Sequence, residues 1–345
     1  MKKTIHALGL VSGGLDSTLA AALLLEQGLE VTGINIHTGF CVLDHHRQMG
    51  ERGRRDLENP ALKTECRLYF PVELVDISQE YLALVTHPRY GYGRNANPCI
   101  DCRIMMLQKA KALMAAHEAD FIFTGEVLGQ RPMTQMRRTL DLIERKSGLE
   151  GYLLRPLSAL RLPPTVPEKE GWVDRSRLKD FCGRTRKPQI ALAEELGIND
   201  YPAPAGGCCF LTDPGYARKF FDLLDHRPDR RVTVDDFTLL KVGRHLRPEP
   251  DLKLIVGRNE GENEFLRRYT DKYTTFEVVE EAGPLTLMEG LDNADHRRLA
   301  AAVTARYSDA PPGKLTDVRV NKDGKEEIIQ VYAISSKQTD DWLIK

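Results

Sequence analysis

A glycine-rich turn close to the start of the chain restricts the fold more than any other feature. An apolar run at residues 4–11 leads into this turn, and residues 17–27 then repeat Leu and Ala at helical spacing. A second apolar run follows at residues 31–36. This strand–turn–helix–strand order predicts a βαβ unit with parallel strands, and therefore an α/β domain built on a parallel sheet.

The turn has the composition of a phosphate-binding loop. It consists of Ser12, Gly13, Gly14, Leu15, Asp16 and Ser17. The glycines let backbone N–H groups face an anion, and the N-terminus of the following helix adds a positive dipole end. Asp16 would repel a bare phosphate, so we expect its carboxylate to hold Mg²⁺ beside one. A glycine-rich turn in which Asp16 only caps the helix is the alternative interpretation.

The six residues of the turn resemble the pyrophosphate loop of the ATP pyrophosphatase (PP-loop) superfamily. Enzymes of that superfamily adenylate a substrate oxygen and release pyrophosphate. The resemblance implies a Rossmann-like domain of the adenine-nucleotide alpha-hydrolase type that binds ATP and Mg²⁺. In the related folds the adenine lies against the backbone at the end of the second strand, which corresponds here to Gly33, Ile34 and Asn35.

Cysteine usage is the one unusual feature of the composition. The seven cysteines are Cys41, Cys66, Cys99, Cys102, Cys182, Cys208 and Cys209. Their odd number, in a chain of 345 residues that starts without a secretory signal, disfavours a disulfide framework. Cys99 and Cys102 form a Cys-x-x-Cys turn just before a helical run at residues 104–116, where the helix dipole favours thiolates.

Three of these thiols could act together. Adding Cys208 or Cys209 to the Cys-x-x-Cys pair gives three thiolates and leaves one position open on a metal centre. A redox pair and plain burial of free thiols stay open as alternatives. We interpret Cys41, Cys66 and Cys182 as packing or incidental residues, since none has a partner at metal-ligand spacing.

Two further segments resemble enzymes that thiolate tRNA. Residues 124–135 resemble a loop of tRNA 4-thiouridine synthetases that reads close to T-G-E-x-L-G-Q, and we expect Gly125 and Gln130 of this loop to contact the nucleotide cofactor. Residues 154–157 resemble the R-P-L element of the same family. Residues 97–102 and 207–210 resemble the two cysteine loops of tRNA 2-thiouridylases. The resemblance covers roughly residues 4–215 and implies an ATP-dependent tRNA sulfurtransferase.

The resemblance also implies a mechanism. ATP adenylates a pyrimidine carbonyl oxygen in tRNA, and sulfur from sulfide or from a cysteine desulfurase persulfide then displaces AMP. In one branch a cysteine carries a persulfide and a second cysteine closes a disulfide; in the other, three cysteines hold a [4Fe-4S] cluster. We expect the cluster, on Cys99, Cys102 and Cys209, with Cys208 competing for the third position. The persulfide route is the alternative.

Functions other than sulfur transfer stay open as well. A PP-loop amidotransferase or ligase that uses ammonia would need neither Cys99 nor Cys102. An RNA-binding module with a degenerate catalytic domain is a third hypothesis, and the intact turn at residues 12–17 argues against it.

The last third of the chain has a different pattern. Short alternating runs after a polar break near residue 230 predict a smaller α+β domain, so we expect a catalytic domain at 1–230 and a second domain at 231–345. Residues 242–245 (V-G-R-H), 257–259 (G-R-N) and 282–284 (A-G-P) belong to a stretch, residues 235–290, that resembles the RNA-binding domain of NFACT proteins, which implies a tRNA contact. Glycine turns with solvated arginines are the alternative. The expected RNA-binding residues are Arg244, His245, Arg247 and Arg258.

Charge and hydropathy set the remaining limits. Lys and Arg total 49 and Asp and Glu total 50, so the net charge of -1 excludes a globally basic nucleic-acid binder but not a local basic patch. No window approaches the roughly 18 apolar residues of a membrane span. We therefore expect a cytoplasmic protein without a membrane partner, and we also consider a homodimer.

Overall fold

The computed structural model describes residues 4–42, 59–201, 209–227, 229 and 231–345. The chain divides into two compact units. The described residues 4–41 and 59–201 belong to unit 1, and those from Cys209 onward belong to unit 2. The predicted boundary near residue 230 therefore lies inside unit 2.

Unit 1 alternates strands and helices, as the βαβ pattern predicts. Its strands are β1 (His6–Leu10), β2 (Glu30–His37), β3 (Val72–Asp76), β4 (Phe121–Thr124) and β5 (Leu153–Leu154). Its helices are α1 (Leu15–Leu25), α2 (Pro60–Leu68), α3 (Ser78–Thr86), α4 (Cys99–Leu113), α5 (Arg137–Ser147), α6 (Val166–Lys169) and α7 (Lys187–Glu195). Two 3-10 turns lie at Ala159–Arg161 and Arg175–Arg177.

The five strands form one parallel sheet in the order β3-β2-β1-β4-β5. The central strand β1 is apolar because helices cover both faces of the sheet: Ala7 and Leu8 belong to two separate buried clusters. The strand order reverses between β1 and β4, and ligands of such sheets bind in the crevice at the carboxyl ends of these strands. The predicted α/β fold is confirmed, and it brings the loops after β1 and β4 together.

The cysteine helix begins earlier than the sequence predicts. We expected a helix over residues 104–116 preceded by the Cys-x-x-Cys turn, whereas α4 already starts at Cys99. The backbone N–H of Cys102 donates to the Pro98 carbonyl at 2.9 Å, which closes the first helical turn. Both cysteines therefore lie on the first turn of α4.

Unit 2 is an antiparallel sheet with helices. Its strands are β6 (Arg244–Glu249), β7 (Leu252–Val256), β8 (Thr274–Val278), β9 (Thr286–Gly290), β10 (Leu315–Lys322) and β11 (Lys325–Tyr332), in the order β11-β10-β8-β9-β7-β6. Its helices are α8 (Pro214–Asp225), α9 (Val234–Leu239), α10 (Glu260–Arg267), α11 (Ala294–Arg306) and α12 (Ser336–Trp342), with a 3-10 turn at Phe210–Thr212. The predicted second α+β domain is confirmed.

Helix α8 explains why the division falls before residue 230. The Tyr216 hydroxyl donates to the Phe237 carbonyl at 3.0 Å, and the Phe220 and Phe237 rings are stacked with centroids 5.3 Å apart. The Lys219 ammonium donates to the Leu240 and Gly243 carbonyls. These contacts attach α8 to the core of unit 2, although its sequence resembles that of the helices before it.

In the part of the chain that the structure describes, no helix combines the length and the apolar content that crossing a bilayer requires.

Candidate nucleotide and sulfur-transfer site

The loop after β1 is closed by its own hydroxyls. The Ser17 and Thr18 hydroxyls donate to the Gly14 carbonyl at 3.0 and 3.1 Å, and the Gly14 N–H donates to the Ser12 hydroxyl oxygen at 3.4 Å. Gly13 has φ +72°, and a Cβ there would lie 2.0 Å from the Pro60 carbonyl carbon at the start of α2. Gly13 therefore has to be glycine for two reasons, conformation and space.

Two residues that are distant from Asp16 in the sequence orient its carboxylate. The Gln130 side-chain amide donates to Asp16 Oδ2 at 2.9 Å, and the Arg186 guanidinium lies 3.8 Å from the same oxygen. The other oxygen, Oδ1, is buried and has no hydrogen-bond partner. An unpartnered buried carboxylate oxygen beside a phosphate-type loop fits Mg²⁺, which prefers oxygen ligands.

Gly125 and Gln130 border this loop. Gly125 follows β4 directly and its backbone abuts the start of α1, because a Cβ on Gly125 would lie 2.4 Å from the Ser17 nitrogen. Gln130 accepts a hydrogen bond from the Gln189 amide at 3.3 Å while it donates to Asp16. The chain thus brings residues more than 100 positions apart to one crevice.

The end of β2 forms one wall of the crevice. The Asn35 amide donates to the Val11 carbonyl at 2.9 Å and accepts from Asn59 at 3.1 Å, which connects the ends of β1 and β2 with the start of α2. Ile34 is buried, and its carbonyl accepts from the Val11 N–H. The side chains of Ile34 and Asn35 are thus engaged in the wall, and an adenine contact with this segment stays a prediction.

The first turn of α4 carries Cys99 and Cys102. Burial raises the pKa of the Cys99 thiol, and a backbone hydrogen bond with the charges of Arg131 and Arg103 opposes that rise only in part. Asp101 lies between the two cysteines and accepts from the backbone N–H groups of Arg89 and Tyr90 at 3.2 and 2.9 Å. Its carboxylate therefore anchors the preceding loop.

Cys209 opens unit 2. It precedes the turn at Phe210–Thr212, and its carbonyl accepts from the Thr212 hydroxyl at 2.7 Å. Cys208 lies outside the described residues. Among the described cysteines, Cys66, Cys99 and Cys182 are free thiols. Among the described residues, the one group of three or more metal-ligand side chains with all ligand atoms within 4.8 Å is Glu249, Asp251 and His296, which contains no cysteine.

Glu126 and Arg155 lie in the two segments that resemble tRNA 4-thiouridine synthetases, and the sequence alone assigns neither of them a role. Both are buried: Glu126 is 2% exposed and Arg155 is 4% exposed. Arg155 Nε donates to Glu126 Oε2 at 3.2 Å, and its Nη1 donates to Glu144 Oε2 at 2.8 Å. The other Glu126 oxygen pairs with Arg103 Nε at 3.2 Å. Two charged residues inside otherwise apolar, strand-flanking motifs were the signal that could have identified this pair.

The expected RNA-binding residues are largely engaged within unit 2. His245 is fully buried, its Nε2 lies 2.9 Å from the Val242 carbonyl, and burial lowers the pKa of its imidazole well below the usual range. Arg247 pairs twice with Asp222 at 2.7 Å, and Arg258 pairs with Glu262. The Arg244 guanidinium lies over the Tyr307 ring, 5.0 Å from its centroid. His245 is therefore a core residue, because its ring is buried and hydrogen-bonded inside unit 2.

Two family profiles match the chain. Residues 5–158 match the family described as the tRNA methyl transferase HUP domain, and residues 243–343 match the NFACT protein RNA binding domain. The first match covers the strands and loops of the nucleotide crevice, and the second covers most of unit 2. The two resemblances predicted from the sequence are thereby confirmed.

Several curated proteins align with the chain. The "tRNA-specific 2-thiouridylase MnmA" of Syntrophotalea carbinolica is 38% identical over 266 residues, which cover 75% of this chain and 69% of that protein. The protein of the same description from Geotalea uraniireducens is 35% identical over 224 residues, 60% of this chain and 54% of that protein. The chain thus spans about two thirds of the first relative and about half of the second.

A solved 4-thiouridine synthetase–RNA complex with bound ATP aligns at a TM-score of 0.37 and 17% identity, covering 68% of this chain and 52% of that chain. A likeness of this strength carries no argument about function.

Proposed function

We infer the function of this chain from the family to which it belongs, that of the tRNA-specific 2-thiouridylases within the PP-loop ATP pyrophosphatases. We propose that it adenylates a pyrimidine carbonyl oxygen in tRNA with ATP and replaces that oxygen with sulfur, releasing pyrophosphate and AMP. The observation that carries the proposal is the crevice in which Gln130 orients Asp16 beside the loop of Ser12 and Gly14.

The adenylation half rests on the loop after β1. The backbone N–H groups of this loop and the N-terminus of α1 bind the departing pyrophosphate, because both present positive partial charge. Asp16 would hold Mg²⁺ through its unpartnered Oδ1, and the ion would neutralise phosphate charge. Adenylation matters chemically because a pyrimidine carbonyl oxygen is a poor leaving group, whereas AMP is a good one.

The sulfur half rests on the cysteines. In the persulfide route, the outer sulfur of a cysteine persulfide attacks the adenylated carbon, and AMP leaves. A second cysteine thiolate then attacks the inner sulfur, which forms a protein disulfide and releases the thionucleoside; a dithiol reductant restores both thiols. Family membership favours this route, and its two cysteines are two of the three candidates Cys99, Cys102 and Cys209.

The [4Fe-4S] cluster expected from the sequence is the competing route. Cys99 and Cys102 offer two thiols on one helical turn, which suits either chemistry. The two routes separate by colour and by sulfur analysis. Anaerobically purified protein that absorbs broadly near ~400 nm would support the cluster. Colourless protein that carries a cysteine persulfide after incubation with a cysteine desulfurase would support the first route.

Recognition of tRNA is proposed for unit 2, from its match to an RNA-binding domain. Arg258 has a side chain that is half exposed, so it remains a candidate phosphate contact. Arg244 stays a candidate as well. Within the same proposal the protein acts in the cytoplasm, on sulfur from sulfide or from a desulfurase, as a monomer or a homodimer.

The decisive experiment is mass spectrometry of tRNA nucleosides from cells with and without this protein. We expect one thiolated nucleoside to disappear and to return with the wild-type gene. In the persulfide route two of the Cys99→Ser, Cys102→Ser and Cys209→Ser variants should fail to restore it, and in the cluster route all three should fail. The Cys66→Ser variant, at an exposed thiol, should restore it fully. An unchanged nucleoside profile in the deletion strain would overturn the proposed function and favour a ligase that uses ammonia.

A further inference from the structure

A single buried carboxylate in unit 1 contacts three structural elements. Glu126 Oε2 accepts hydrogen bonds from Arg155 Nε and from the Thr124 hydroxyl, each at 3.2 Å. The other oxygen, Oε1, makes no hydrogen bond to any described residue and forms an ion pair with Arg103 Nε at 3.2 Å. Thr124 is the last residue of β4, Arg155 follows β5, and Arg103 lies in α4. With 2% exposure, Glu126 is shielded from solvent, so its charge is compensated by these partners alone.

The position of Glu126 in the chain connects it with the nucleotide loop. The preceding residue, Gly125, abuts the backbone of Asp16 and Ser17 so closely that no Cβ fits between them. This packing of Gly125 holds the Glu126 backbone in a fixed place beside the start of α1.

The Arg103 end connects Glu126 with the cysteines. Arg103 follows Cys102 directly and lies four residues after Cys99, one helical turn further along α4. Its side chain is 25% exposed, so solvent could compensate its charge without Glu126. Arg155, in contrast, is deeply buried and has a second carboxylate partner in Glu144. Neither Arg103 nor Arg155 thus requires Glu126 to neutralise its charge. We therefore interpret the Glu126–Arg103 pair as a contact that fixes the position of α4.

We propose that Glu126 is a positioning residue that fixes the cysteine-bearing turn of α4 relative to the nucleotide loop. The inference rests on the proposed function. Sulfur transfer requires the sulfur and the adenylated carbon to meet, and a misplacement of about 1 Å can lower such a rate by about 100-fold. Adenylation uses the loop after β1 and does not need α4. Loss of Glu126 should therefore separate the two half-reactions.

The experiment compares Glu126→Gln with Glu144→Gln in the full-length protein. Glutamine keeps the shape of each side chain and removes the charge, and both substitutions disturb Arg155, but only the first disturbs Arg103. Pyrophosphate and thiolated nucleoside are quantified in the same reactions with ATP, tRNA and a sulfide or persulfide donor. We expect Glu126→Gln to lower thionucleoside formed per pyrophosphate by about 10- to 100-fold, with Glu144→Gln near the wild-type ratio.

Two further measurements keep the test decisive. Arg103→Met leaves the buried Glu126–Arg155 pair intact and should lower the same ratio, even if Glu126→Gln folds poorly. Hydrogen exchange should show faster exchange at residues 99–103 in Glu126→Gln than in Glu144→Gln. An unchanged product ratio in both Glu126→Gln and Arg103→Met would overturn the positioning role. If the wild type forms no thionucleoside, the proposed function is wrong. In that case the hydrogen exchange still tests this inference: equal exchange at residues 99–103 in Glu126→Gln and Glu144→Gln would overturn it.

Discussion

Replacing Gly125 with Ala tests how closely the loops after β1 and β4 are packed. A Cβ at this position would lie 2.4 Å from the Ser17 nitrogen and 2.5 Å from the Asp16 carbonyl carbon. Both neighbours are backbone atoms, so no side-chain rotation relieves the overlap. The start of α1 and the end of β4 must move apart.

The size of the effect follows from these distances. Ordinary contacts of a Cβ begin at 3.4 Å, so the two backbones must separate by roughly 1 Å. Overpacking of this kind lowers the free energy of unfolding by about 1–3 kcal/mol. A shift of about 1 Å between positioned reacting groups lowers a rate by about 100-fold. We expect kcat for pyrophosphate release to fall by roughly 10- to 100-fold.

The assay is tRNA-dependent pyrophosphate release over a range of ATP concentrations, combined with urea unfolding. Gly261→Ala is the matched control, because Gly261 is helical and a Cβ there would lie no closer than 3.5 Å to its nearest neighbour, the Asn259 side-chain oxygen. The control should unfold at the same or slightly higher urea concentration. A Gly125→Ala protein with wild-type kcat and KM for ATP would refute the argument that a missing Cβ sets the loop spacing.

Three further predictions concern charge. Asp16→Asn should abolish pyrophosphate release and change the free energy of unfolding by no more than about 0.5 kcal/mol, since Asp16 lies on the crevice; retained turnover would contradict its role. Arg247→Met should cost about 1–3 kcal/mol of unfolding free energy, because it leaves the Asp222 carboxylate with only His226 as an ion-pair partner among the described residues, and the exposed Arg298→Met should cost little; equal stabilities would show that the Arg247–Asp222 pair contributes nothing. The folded-state pKa of His245 is well below its ordinary 6.5, so its contribution to stability is present above pH 6.5 and is lost as the pH falls, by about 1.4 kcal/mol per pH unit. In urea unfolding, His245→Phe should therefore lose less stability between pH 7 and pH 5 than the wild type. An equal loss in the two proteins would place the ring outside the core.

The sequence was sufficient to predict features that depend on near neighbours. The turn from Ser12 to Ser17 lies between a strand and a helix, and that local order determines both the parallel sheet and the position of the loop at its carboxyl edge. The Cys-x-x-Cys pair was also correctly placed near a helix start, although the helix includes it.

Features that depend on distant neighbours were not predictable in this way. Gln130 reaches Asp16 from 114 residues away, and Glu126 meets Arg155 across 29 residues, so spacing carries no sign of either contact. His245 shows the opposite error: beside two glycine–arginine elements it has the sequence context of a phosphate contact. The burial of β6 instead directs its ring to the carbonyls of Leu239 and Val242.

The central position of β1 has a consequence for how the chain folds. β1 forms early during synthesis and pairs with β2 at once, but its other edge waits for β4, and the His6 N–H reaches the Asp120 carboxylate 114 residues later. Closing so long a loop is entropically costly and slow. Until β4 has left the ribosome, the apolar strand with Ala7 and Leu8 presents an open edge of the kind that templates aggregation. A fragment that ends before β4 therefore would aggregate rather than form a smaller stable domain.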